Sequence, residues 1–156
     1  MKKLFAVILT VALLMSLSLT AFAENTTGGD ADITTSIAPT YTVTIPADVN
    51  VAFNATETAF GTIEVTASQI HPDKCIKVAL TTDKELNNAI DNTKVIPYAI
   101  KDSTGAAFTS ATYLTEGDKT ELSIHITADD WNAAYAGDYS DTVTFTVSYV
   151  DKAANN

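Results

Sequence analysis

From residue 142 to residue 150 the side chains alternate without interruption. Val143, Phe145, Val147 and Tyr149 occupy one set of positions; Thr142, Thr144, Thr146 and Ser148 occupy the other. Successive side chains point to opposite faces in a strand, whereas a helix repeats only every ~3.6 residues. The segment therefore reads as a strand with one face in a core.

Shorter runs of the same period precede it. Residues 119–127 place Leu122, Ile124 and Ile126 on one face, and residues 60–66 place Ile63 and Val65 together. Residues 75–82 set Ile76, Val78 and Leu80 inward, with Cys75, Lys77 and Ala79 outward. Residues 41–45, 49–53 and 107–114 read as further strands. Residues 95–101 contain Pro97, which gives no N–H to a ladder and so belongs at an edge or a bulge. Residues 101–106 have the composition of a turn.

One segment departs from the period of two. Residues 128–136 read as a short helical turn, with Thr127 as N-cap, Asp129 and Asp130 near the positive end of the dipole, and Gly137 as its stop. Closely spaced strands with a single helical turn predict an all-β fold. The expected architecture is an antiparallel β-sandwich, Ig-like or pilin-like, of seven or eight strands in one domain over residues 41–150. Trp131 and Tyr139 are expected near one end of its core.

Ahead of the domain, residues 24–40 read as a flexible arm, and residues 151–156 as a polar tail. Lys2 and Lys3 precede a largely apolar stretch from residue 4 to 19, and Ala21-Phe22-Ala23 closes it. That is the layout of a cleaved signal peptide, residues 1–23, and predicts a secreted or surface-associated protein with no membrane span after cleavage.

Composition narrows the role. Seven lysines against nineteen carboxylates leave the processed chain near −12, with no arginine, so no nucleic-acid partner is expected and an anionic membrane surface is a poor match. Twenty-three threonines in residues 24–156 favour strands. Cys75 is the only cysteine, so no intrachain disulfide forms and the core alone must stabilise the fold.

The search for chemistry yields little. His71 and Cys75 lie four apart, but zinc sites want further ligands, and the other histidine, His125, falls on the outward face of its strand. Asp129, Asp130, Asp138 and Asp141 are the calcium candidates, although their spacing matches no EF-hand loop. No nucleophile elbow, phosphate loop or zinc-protease helix exists, so no catalytic residue or other cofactor is expected. Tyr113 and Tyr135 are the aromatics whose side the sequence leaves unassigned.

The run Ala136-Gly137-Asp138-Tyr139-Ser140-Asp141, leading into the final strand with Phe145, resembles the closing strand of spore coat protein U-type and related pilin-like domains. Tyr41 to Pro46 and the pair Phe60-Gly61 are similar to that family's first strand and its Phe-Gly pair. Those domains usually hold a disulfide between early strands; here position 67 is Ala and Cys75 stands alone. Structural roles for Trp131, Gly137, Tyr139 and Phe145 go with this reading. The resemblance implies subunits that complete one another by donating an N-terminal strand. Residues 32–38, with Ile33, Thr35 and Ile37 alternating, are the candidate donor; the alternative makes them the domain's own first edge strand.

The sequence therefore predicts a secreted, non-enzymatic structural or interaction protein of the bacterial surface, assembling with itself or other surface proteins through strand edges. The alternative is a soluble extracellular binding module for a glycan or a protein ligand.

Overall fold

The structure is a computed structural model that describes residues 30–153; the expected signal peptide (residues 1–23), residues 24–29 and residues 154–156 lie outside the described residues. It is all-β, with ten strands and one helix among the described residues. The largest sheet has the order β1-β2-β8-β6, built from β1 (Thr40–Thr44), β2 (Glu57–Gln69), β8 (Lys119–His125) and β6 (Ala99–Asp102). A second sheet runs β10-β3-β7, from β10 (Thr144–Asp151), β3 (Lys74–Thr81) and β7 (Ser110–Tyr113). A third pairs β5 (Val95–Pro97) and β9 (Tyr139–Ser140) with β4 (Glu85–Asn88). All pairings are antiparallel.

Both larger sheets supply one hydrophobic cluster. Ile63 and Val65 of β2, Ile100 of β6, and Leu122 and Ile124 of β8 share it with Ile76 and Val78 of β3 and Tyr113 of β7. Ile63, Val65, Ile76 and Val78 are fully buried, which follows from the alternation read in their strands. Tyr41 of the edge strand β1 stacks on Tyr149 of the edge strand β10, with ring centroids 5.8 Å apart.

Several elements differ from the sequence reading. Residues 49–53 form no strand: the chain turns at residues 52–55, where Ala55 N–H donates to Ala52 O, and Asn54 has φ 64°. Val51 packs on the core while Phe53 is thrown outward. Residues 95–101 are split at Tyr98, whose N–H donates to Lys84 O, so the chain leaves β5 after Pro97 and enters a different sheet as β6. Residues 32–38 are not an edge strand of their own domain, since no described residue before Thr40 is in a strand.

The helix α1 spans Ala128–Ala133, capped by Thr127, whose hydroxyl accepts from Asp130 N–H. It stops at Ala134, which is already extended, three residues before Gly137. Cys75 was expected outward and is nevertheless buried at 4% exposure, its thiol directed at the Asp151 carbonyl 3.8 Å away. No helix among the described residues is long and apolar enough to cross a membrane.

Candidate functional site

The four aspartates read as calcium candidates do not converge. Among the described residues no three His, Cys, Asp or Glu side chains gather into a metal site. Asp130 accepts from the Thr127 hydroxyl at 2.5 Å in the helix cap. Asp141 accepts from the hydroxyl of Thr82 at 2.7 Å and from that of Tyr98, and its other oxygen takes the Thr142 N–H at 2.6 Å. Thr82 in turn accepts from Lys84 N–H at 2.9 Å. This knot ties the end of β3, the β5–β6 crossing and the β9–β10 connection together. Burial, then the bond to Asp141, holds the Tyr98 hydroxyl well above the usual tyrosine range. Nothing in the sequence marked it, because its members are 16 to 59 residues apart.

Of the expected structural residues, Trp131 lies in α1, Gly137 and Tyr139 follow it, and Phe145 lies apart on β10. The Trp131 indole N–H donates to Ala55 O at 2.9 Å, and its ring meets Phe53 edge-on at 5.7 Å. Tyr139 packs on the core and its hydroxyl donates to Tyr135 O at 3.0 Å while accepting Tyr135 N–H at 3.1 Å. That pair of bonds holds the chain extended beyond α1. Gly137 has φ 146° and lies against Asn88, a buried residue of β4. Phe145 packs against Phe60 at 5.9 Å. Of the unassigned tyrosines, Tyr113 is buried and bonds Thr120, whereas Tyr135 is exposed with Lys94 4.9 Å over its ring.

His71 and Cys75 do not form a site. His71 bonds Asp73 at 2.5 Å, holding that carboxyl below the usual range, and its backbone N–H donates to the Tyr149 hydroxyl at 2.8 Å. Lys74 pairs with Asp151, which raises the lysine. His125 lies 3.9 Å from Glu57 and 2.9 Å from the Ser123 hydroxyl. Beside Tyr149 a shallow cleft of about 460 Å³ is lined by His71, Lys74 and the arm residues Ile37 and Pro39.

The feature with most capacity to bind lies along β10. This eight-residue strand pairs only with β3 and is an edge among the described residues. Lys152 N–H donates to Asp73 O, and Leu80 N–H, opposite Phe145, donates away from β10 to Thr109 O. In an antiparallel ladder these bonds alternate, so Phe145, Val147 and Tyr149 direct their N–H and C=O groups to the open side. Their side chains are only half-buried, in contrast to the fully buried Ile76 and Val78 across the ladder. Near this edge the arm runs unpaired, with Ile33 98% and Ile37 69% exposed. An open edge with partly covered apolar side chains accepts another strand.

Comparison with family models, with characterised proteins and with solved structures finds no match to this chain.

Proposed function

We propose that the chain is an exported, non-enzymatic structural protein of the bacterial surface, a pilin-like β-sandwich subunit that assembles with itself through strand edges. The single observation that carries this reading is the unpaired edge of β10 beside an unpaired arm of matching period. Phe145, Val147 and Tyr149 offer three residues' worth of ladder groups and a half-covered apolar row. Ile33, Thr35 and Ile37 supply the same alternation on the arm. A sandwich is supported by the one core to which both larger sheets contribute. Export is supported by the Lys2-Lys3 leader and its Ala21-Phe22-Ala23 close.

The alternative, an extracellular module for a glycan or protein ligand, is favoured by Phe53, which is 77% exposed although Trp131 holds its edge.

Sedimentation of the processed protein distinguishes the two. The account expects a distribution of assemblies that collapses to monomer when residues 24–38 are removed. A strict monomer, unchanged by that truncation, would sink the assembly reading.

A further inference from the structure

We propose that the cleft beside Tyr149 binds a neutral pyranose glycan, with the Tyr149 ring, Ile37 and Pro39 against the apolar face of a sugar and His71 and Gln69 bonded to its hydroxyls. This rests on the second reading above, to which it gives a site and a ligand class, and it holds whether or not the subunits assemble.

Charge sets the ligand class first. His71, Asp73 and Lys74 line the cleft, and each is engaged within the fold: His71 with Asp73, and Lys74 with Asp151. Lys152, the next residue along the chain from Asp151, donates its ammonium to Pro72 O at 2.7 Å. An anionic or cationic ligand would have to draw one member out of an existing pair, leaving the other uncompensated. A neutral ligand breaks nothing.

The hydrogen-bonding groups then point to hydroxyls. A carboxylate only accepts, so in the bond to Asp73 it is His71 Nδ1 that carries the proton, and Nε2 of the neutral ring is left as an acceptor. The Tyr149 hydroxyl accepts the His71 backbone N–H at 2.8 Å and keeps its own proton to give. Gln69 is exposed at the end of β2, and its amide both donates and accepts. One acceptor, one donor and one group that does both suit a row of hydroxyls, each of which also donates and accepts.

The remaining walls are apolar. Ile37, Pro39 and Ile70 stand around the Tyr149 ring. That ring is fixed twice, by stacking on Tyr41 and by the bond at its hydroxyl, so little ordering is left to be done when a ligand arrives. A pyranose has C–H groups across one face and hydroxyls around its rim, and C–H groups match the electron-rich face of an aromatic ring. The cleft volume of about 460 Å³ falls in the range of small-ligand sites, roughly 300–1,000 Å³, and admits a short stretch of glycan.

Titration of the processed protein with cellotetraose and with chitotetraose tests this, read by NMR at a concentration where the protein sediments as a monomer. At least one of the two is expected to shift the His71 and Tyr149 amides saturably. His71→Ala and Gln69→Ala should each weaken that binding about 3–10-fold, the effect of one hydrogen bond, and Phe53→Ala should leave it unchanged. Binding of tetragalacturonate as tight as that of the neutral sugars would overturn the proposal. Loss of binding in Phe53→Ala but not in His71→Ala would overturn this site while leaving a glycan module standing at the other exposed aromatic. No saturable shift with either neutral sugar would overturn the proposal and leave only a protein ligand to the second reading.

Discussion

Ile76→Ala is expected to lower the unfolding free energy by about 2–5 kcal/mol, measured by urea denaturation of the processed protein. Ile76 is fully buried on β3, the middle strand of its sheet, opposite Tyr149 on one side and Tyr113 on the other. Its removal costs both the transfer energy of its methyl groups and the cavity left behind. Typical domains have only about 5–15 kcal/mol in total, and Cys75, the only cysteine, provides no disulfide to offset the loss. Ile76→Val, which keeps most of the volume, should cost about 0.5–1.5 kcal/mol. Val147→Ala on β10 should cost less than Ile76→Ala, because Val147 is only half-buried in the free subunit. An Ile76→Ala protein as stable as the parent would mean that the two larger sheets do not share this core.

Gly137→Ala is expected to cost about 2–4 kcal/mol, through backbone strain and a displaced hydrogen-bonding side chain. Gly137 has φ 146°, a region open in practice only to glycine, and an added Cβ would lie 2.5 Å from Asn88 Nδ2. Asn88 cannot retreat freely. It is 7% exposed, and its carbonyl oxygen accepts from Ile90 N–H at 2.9 Å and Asp91 N–H at 3.2 Å, which shapes the β4–β5 connection. Gly117→Ala is the control: its φ is 88° but nothing lies within 4 Å of the added carbon. That variant should show only left-handed backbone strain, about 1–2 kcal/mol. Equal thermal stability of the two variants would show that the contact with Asn88 has no energetic role.

The parts legible in the sequence are those whose signal is local. β8 and β10 announce themselves because each turns one face to the core and the other to water, giving a period of two. Thr127 caps α1 because a hydroxyl three residues before an amide is a short-range arrangement. What escaped is non-local. β4 reads Glu-Leu-Asn-Asn and has no apolar alternation; it is a strand because β5 and β9 pair with it. Residues 49–53 alternate like a strand, yet the turn pinned by Trp131 removes any pairing partner. Gly137 looked like a helix stop, but Tyr139 had already fixed the backbone at Tyr135, and the glycine serves the approach to Asn88. The Asp141 knot joins residues from three separate segments.

The candidate site divides in the same way. The arm's alternation at Ile33, Thr35 and Ile37 is visible in the sequence. Which strand edge is open to it depends on sheet order, which only the fold supplies.

Amide hydrogen exchange at Phe145, Val147 and Tyr149 tests the central claim most directly, since these are the N–H groups that β10 turns to its open side. In the assembled, processed protein they are expected to be protected, and in the protein lacking residues 24–38 to exchange rapidly while Ile76 and Val78 remain protected in both. Equal and rapid exchange at the three β10 amides with and without the arm would contradict strand addition.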